Sequence, residues 1–363
     1  MWMLLFLALP LAGLAYVSWH LYCLLPFSAP WRWVVIALGW LAFLCVFASF
    51  SRLIDHVSLD LGAVFYETGF SSIFVLLYLV IMFLLLDLGR LFHLVPKSWL
   101  HANAVTSAVV CALMVGVFTY AYLHYRHKER QVLELPTAKH LSKDLKIVMM
   151  SDLHLGYHNR RQELARWVDM VNAERPDLIL VAGDIVDMSL RPLREEDMAS
   201  ELRRLQAPVY ACLGNHEYYS GEPRALDFYR EAGIHLLRDS VVTVGDLRIA
   251  GRDDRSNPRR KSVKALLGGT DQRRYTILLD HQPYHLEEAE RAGVDFQFSG
   301  HTHHGQLWPI SWITESLYEC AYGSWRRGNT RYYISSGMGI WGAKFRIGTC
   351  SEYVVVHIKA VAK

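Results

Sequence analysis

The chain has 363 residues, 52% of them hydrophobic and 20% charged, with a formal net charge of +3. So small an excess on so long a chain gives no argument for nucleic acid as a partner, while the length leaves room for two domains. The six cysteines form no CxxC and no regular spacing, which argues against a disulfide framework or a thiolate zinc site.

Four apolar stretches come first: Trp2 to Leu25, Trp33 to Phe50, Phe70 to about Leu86, and Ala104 to Leu123. Each is close to the ~20 residues that cross a bilayer, which predicts a membrane bundle of about four helices over residues 1–125. The first stretch lacks a basic leader, is too long for a signal sequence and is followed by further spans. Trp2, Trp31, Trp33 and Trp99 lie near the ends of these runs, where interfacial anchors belong. Asp87 and Arg90 share one helical face near the end of the third stretch, with His93 a turn further on. That placement predicts an interfacial ion pair. An even number of spans puts both termini on one side, and the basic cluster Arg126, Lys128 and Arg130 favours the cytoplasmic face for the polar remainder of the chain.

Residues 126–144 read as a polar juxtamembrane linker. Beyond it the pattern becomes strands alternating with helices. Leu145–Met150 reads as a buried strand, and Leu164, Trp167, Val168 and Val171 follow helical spacing. Further buried strands are expected after Asp177 and Pro208, then at Tyr275–Leu279, Asp295–Phe298, Arg331–Ser335 and Tyr353–Ile358. Short apolar strands separated by helices indicate a layered α/β domain. The thinning of helices toward the end leaves room for a second sheet packed on the first.

The chemistry-bearing residues sit where these strands stop. Asp152 and His154 follow the first in SDLHLG, Asp184 and Asp187 the second in GDIVD, and Asn215 and His216 the third in GNHE. His281 follows the next in LLDHQP, and His301 and His303 follow another in SGHTHHGQ. Ligands collect at the carboxyl ends of strands in α/β folds, so five such sets would converge on one site. Imidazole with carboxylate and no thiolate suits Mn²⁺, Fe or Zn²⁺, and is too rich in nitrogen for Ca²⁺. Gly183, Gly214 and Gly300 directly precede ligand residues, where glycine allows a sharp turn.

The order DxH, GDxxD, GNHE, a lone His and GHxH resembles the calcineurin-like metallophosphoesterase superfamily over about residues 145–360. GNHEYY, DHQP, SGHTHHGQ and the later SSGMGIWG-x-x-x-RIG are similar to its bacterial membrane-associated branch. The resemblance implies a four-layer α/β domain over 145–363, two packed mixed sheets flanked by helices, carried behind the helices in a bacterial inner membrane. It implies two divalent metal ions: one held by Asp152, His154 and His303, the other by Asn215, His281 and His301, with Asp184 bridging. His216 would stand unligated beside the phosphate, as a proton donor or hydrogen-bond donor with Glu217 as its neighbour. Asp187 is expected to orient ligands through hydrogen bonds.

Two cations about 3.5–4 Å apart would supply ionised water near neutral pH and clamp phosphoryl oxygens, which predicts hydrolysis of a phosphodiester or pyrophosphate. The membrane bundle favours a substrate that is lipid-linked or lies at the bilayer surface, and the pyrophosphate of a UDP-linked acylated glucosamine is one candidate the resemblance offers. The segment LWPISWITESLYECAYGSW, residues 307–325, is apolar enough to meet a membrane or acyl chains, or else to pack as core. Trp341 stands in the same position. The basic run Arg252, Arg255, Arg259, Arg260 and Lys261 would face a second phosphate, a nucleotide or headgroups, or else be a solvated loop. That run keeps a tethered nuclease or cyclic-nucleotide phosphodiesterase open as an alternative, beside a non-catalytic binding protein. The sequence sets no oligomeric state.

Overall fold

Hydropathy and charge change together near Tyr125, and the computed structural model divides close to that point. It describes residues 2–268 and 273–361. One unit holds the residues up to Leu123 with Gly342–Lys344; the other holds His124–Trp341 with Phe345–Lys363.

The first unit is built on α1 (Trp2–Leu24), α2 (Ala29–Phe50), α3 (Leu59–Leu91) and α4 (Ala104–Arg126). Their interior packs Leu14, Phe43, Leu76, Phe83 and Val110, yet Leu38, Leu41, Leu85 and Leu113 point outward. Helices apolar on every side suit a lipid surround. Among the described residues α2, α3 and α4 are long and apolar enough to cross a membrane, while α1 offers the shorter apolar stretch Ala8–Leu24. α3 begins well before Phe70 because the Ser58 hydroxyl accepts from the Leu61 amide and caps it there. Gly69 then lets α3 cross α2 closely, since a Cβ would meet the Val46 amide nitrogen at 2.5 Å. Trp31, Trp33 and Trp99 are exposed near helix ends; the side chain of Trp2 lies outside the described residues.

Asp87 does not pair with Arg90. Its Oδ2 accepts the Tyr16 hydroxyl at 2.7 Å and lies 3.0 Å from His20 Nε2, both on α1. A carboxylate drawn toward an apolar bundle is stabilised by donors on the adjacent helix.

In chain order the second unit carries β1 (Lys128–Thr137), β2 (Leu145–Met150), β3 (Leu178–Ala182), β4 (Val209–Cys212), β5 (His235–Leu236) and β6 (Ser240–Val244). Then come β7 (Leu247–Gly251), β8 (Tyr275–Leu279), β9 (Phe296–Ser299), β10 (Gly323–Arg327), β11 (Thr330–Ile334) and β12 (Ser351–Ala360). One mixed sheet has the order β1-β12-β2-β3-β4-β5 and the other β10-β11-β9-β8-β7-β6. β1 occupies the stretch expected as a linker. It pairs in parallel with β12, Lys128 opposite Ser351 through Thr137 opposite Ala360, and as an edge strand it carries charge that conceals it from a hydropathy reading.

Alternation along β2 explains the layers. Ile147 and Met149 face Ile249, Ile277, Leu279 and Phe298 of the other sheet. Val148 and Met150 face Leu164, Trp167 and Val168 of α5 (Arg161–Ala173). On the far side Ala250, Leu278 and Ile334 pack under Leu266 and Leu286. Two sheets face to face, each covered outside by helices, make the expected four layers. Parallel neighbours β2, β3 and β4 in one sheet, and β8 and β9 in the other, end at their carboxyl edges in the motif loops.

Candidate metal centre

The structure brings all seven expected ligand residues together in two adjoining groups. In the first, His154 Nε2 and His303 Nε2 face each other at 3.0 Å. Asp152 Oδ1 lies 3.8 Å from the former and 3.5 Å from the latter. In the second, Asn215 Oδ1 lies 3.2 Å from His281 Nε2 and 2.8 Å from His301 Nδ1. Asp184 Oδ2 joins the groups, 3.1 Å from His281 Nε2 and 3.6 Å from His154 Nε2. Asp152–His154–His303 and Asp184–His281–His301 each cluster their ligand atoms within 4.8 Å, as a metal ion requires. A third such set, His154–Asp184–His216, also exists.

The backbone that presents these side chains is strained. Asp152, His154, Asp184, His301 and His303 all have positive φ, between +45° and +71°. This left-handed turn immediately after a strand redirects the side chain, and it persists only where surroundings enforce it. Of the glycines beside the ligands, Gly183 alone has positive φ, +76°. Gly214 and Gly300 serve a different need from the expected sharp turn. A Cβ on Gly214 would overlap Asp184 Oδ1, and one on Gly300 would overlap Asp152 Oδ2. Gly214→Ala is therefore expected to push Asp184 aside and weaken metal binding about 10–100-fold, the usual scale for disturbed ligand support. Metal titration of the folded variant checks this, and wild-type affinity would refute it.

Neighbouring groups fix the ligands. His281 Nδ1 donates to the Ala182 carbonyl at 2.7 Å, which fixes the ring with Nε2 turned toward Asp184. Asp187 stands behind the site, 3.4 Å from His154 Nδ1 and 3.1 Å from His216 Nδ1. Glu217 is fully buried and turns to the backbone. Its oxygens accept from the Gly214, Asp184 and Val186 amides at 2.7, 3.1 and 3.0 Å, locking two ligand loops together. The sequence placed Glu217 beside His216 as a candidate supporting or substrate-binding group; the structure gives it the supporting role, through the Gly214 amide three residues before it.

The electrostatics fit a cation. Burial alone would raise Asp152 and Asp184, but His303 and His154 hold the first, and His281 and His216 the second, well below the usual carboxylate range. Burial pushes His301 down to about 4 and His303 to about 3, reinforced by the charges of His281 and His154 respectively, so both offer neutral nitrogens. His154, despite burial, is raised to about 10 by Asp152 and Asp187, and His281 is raised by Asp184. Protons on those two imidazoles balance buried carboxylate charge that a divalent ion would balance instead. Carboxylates, imidazoles and an amide oxygen without thiolate suit Mn²⁺, Fe or Zn²⁺.

His216 is buried beside this assembly, its ring centroid 4.5 Å from that of His154 and 6.3 Å from that of Trp341. Arg252 does not face the site as a free charge. It is buried, with Nη1 3.1 Å from Asp280 Oδ2 and Nη2 2.8 Å from Glu288. Arg260 reaches the other Asp280 oxygen at 3.1 Å. A buried carboxylate needs such partners, so these two arginines of the basic run hold the residue before His281. The apolar segment only partly packs as core: Leu307, Cys320 and Ala321 are buried. Its helix, Ile310–Leu317, exposes Trp312, Ile313 and Leu317, with Trp308 beside it.

The model of the calcineurin-like phosphoesterase family matches residues 145–305. An uncharacterised metallophosphoesterase of Aquifex aeolicus is 33% identical over 262 residues, covering 68% of this chain and 97% of its own. Another, of Campylobacter jejuni, is 31% identical over 263 residues, 68% of each chain. A transmembrane protein with metallophosphoesterase domain of Danio rerio is 29% identical over 311 residues, covering 78% of this chain and 71% of that one.

Proposed function

This chain belongs to the calcineurin-like metallophosphoesterases, and we propose that it is a dinuclear-metal hydrolase of phosphodiester or pyrophosphate bonds in a lipid-linked or membrane-surface substrate. The observation that carries the reaction class is the pair of donor groups sharing Asp184. Asp152, His154 and His303 would hold one ion, and Asn215, His281 and His301 the other. When bound, the pair supplies ionised water at neutral pH and charge for the phosphoryl oxygens. Asp184 contributes one oxygen toward both groups while its other oxygen accepts the His216 amide at 2.9 Å. Asp187 steadies His154 and His216 from behind. The imidazole of His216 would give a proton or a hydrogen bond at the phosphoryl or leaving oxygen.

The lipid reading draws support from the apolar helices of the first unit and from the exposed Trp312, Ile313 and Leu317 of the second. Tryptophan and leucine on a polar protein surface suit the interface of a bilayer. The nuclease alternative loses ground because Arg252 and Arg260 are committed to Asp280. Purified protein with Mn²⁺ restored is expected to turn over lipid pyrophosphates or phosphodiester lipids in preference to cyclic nucleotides and single-stranded DNA. Serine at Trp312, Ile313 and Leu317 together should cost about tenfold or more on vesicle substrates, given the apolar transfer energy removed. Activity on soluble bis(p-nitrophenyl) phosphate should stay unchanged. Turnover of nucleotides or DNA alone would overturn the substrate class.

A further inference from the structure

The turn that carries two of the ligand histidines is densely strained, and something must hold it. His301, His303, His304, Gly305 and Gln306 all have positive φ, from +47° to +71°. Consecutive non-glycine residues in this region relax unless neighbouring groups over-determine them. Asp152 holds the His301 amide and Ala321 the Thr302 hydroxyl, and the far end of the turn is held by one short segment, Arg346–Thr349. Thr349 Oγ1 donates to the Gln306 carbonyl at 2.6 Å. The Trp308 amide donates to the Ile347 carbonyl at 2.8 Å. Arg346 Nη1 donates to the His303 carbonyl at 2.6 Å.

Arg346 reaches further than one turn. It is wholly buried, and its Nη2 donates to the Ser336 carbonyl at 2.5 Å while Nε reaches Ser351 Oγ at 3.2 Å. The loop after Ser336 is itself fastened to the first ligand turn. The Met338 and Gly339 amides donate to the carbonyls of Ser151 and Asp152, both at 3.0 Å. The guanidinium therefore ties the His303 turn to a loop that holds the Asp152 turn, and Asp152 and His303 belong to the same donor group. Its hydrogen-bond acceptors among the described residues are carbonyl and hydroxyl oxygens. Burying a cation on such acceptors without a carboxylate is costly, and arginine alone offers a rigid, permanently charged fork to do it.

We infer that Arg346, with Thr349, is a positioning clamp that sets the Asp152–His154–His303 donor group at metal-binding geometry. The inference rests on the metal-centre reading above and adds to it which residues outside the donor set govern affinity at one of its two halves. Losing the clamp lets the 303–306 part of the turn relax, where Arg346 and Thr349 bond, and the geometry needed by one ion is lost, while His301, ahead of that part, stays against Asn215 Oδ1 at 2.8 Å.

The test is Mn²⁺ titration of the full chain in detergent, by calorimetry and by bound-metal analysis, for wild type, Arg346→Lys and Thr349→Val. Wild type is expected to bind two ions. Arg346→Lys should weaken one of them about 10–100-fold, the range seen when ligand-orienting groups are removed, with the other little changed. Thr349→Val keeps volume and leaves Arg346 in place, so it should shift the same ion in the same direction by a smaller factor. If Arg346→Lys fails to fold, Thr349→Val decides. Two ions at wild-type affinity in a folded variant, even one with a lower metal-free melting temperature, would assign the clamp to the fold alone and overturn the inference. A wild type that binds no metal would overturn the centre itself, and the clamp with it.

Discussion

Asp184→Ala is expected to reduce hydrolysis by about 10³-fold or more, the scale of several kcal/mol of lost charge stabilisation, and to lower bound metal at both halves of the site. Its carboxylate stands between the two donor groups. One oxygen is 3.1 Å from His281 Nε2 and 3.6 Å from His154 Nε2, while the second accepts the His216 amide. Removing it leaves two sets of imidazoles facing each other across a gap with less negative charge to offset two divalent ions. It also loosens the GNHE turn, which loses the acceptor of its His216 amide while the Glu217 bonds to the backbone remain. Asp184→Asn separates these effects. It keeps an oxygen for the His216 amide but removes the negative charge, so metal should fall while the fold is retained. Bound-metal analysis beside turnover is the measurement. Turnover of Asp184→Ala near the wild-type rate would sink the two-metal reading.

Much of this was readable because each ligand lies just past a short, mainly apolar strand. LKIVMM before SDLH and LILVA before GDIVD leave little choice of register. The left-handed backbone at Asp152, His154, Asp184, His301 and His303 was not readable, because aspartate and histidine there carry no glycine to announce it. The reason for Gly214 and Gly300 was hidden for a related cause. Close approach of Asp184 and Asp152 is a tertiary fact that local turn rules do not contain.

Charge patterns misled where tertiary partners were needed. Arg252 and Arg260 read either as facing a phosphate or as part of a solvated loop, and neither reading foresaw Asp280, which lies far off in sequence and is brought to them by the β7–β8 pairing. Asp87 and Arg90 read as partners for the opposite reason: proximity along one helix suggested a pair that α1 intercepts with Tyr16 and His20. β1 was lost among its own charges. The RIG of Arg346 was visible as a motif, but a buried arginine serving carbonyls has no signature in composition.

His216→Ala is expected to lower turnover by about 10²–10⁴-fold, the usual contribution of a positioned acid or base, with both metals retained. The geometry argues for that division. His216 Nδ1 lies 3.1 Å from Asp187 Oδ1, at ion-pair distance though without the alignment of a hydrogen bond. The ring meets His154 edge-on at 4.5 Å. Each donor group is already complete without it: Asp152, His154 and His303 on one side, and Asp184, Asn215, His281 and His301 on the other. An imidazole beside filled donor groups and backed by a carboxylate is suited to handle a proton at the leaving oxygen. The His154–Asp184–His216 set offers the opposite outcome, since it too gathers its atoms within 4.8 Å. Loss of one bound ion in His216→Ala would make His216 a ligand and move the proton role elsewhere. His216→Gln sharpens the choice, because glutamine can still donate a hydrogen bond but cannot transfer a proton at neutral pH. Turnover largely restored by glutamine would assign His216 to hydrogen bonding at the phosphoryl oxygen. Turnover as low as in the alanine variant, with two ions still bound, would assign it to proton transfer.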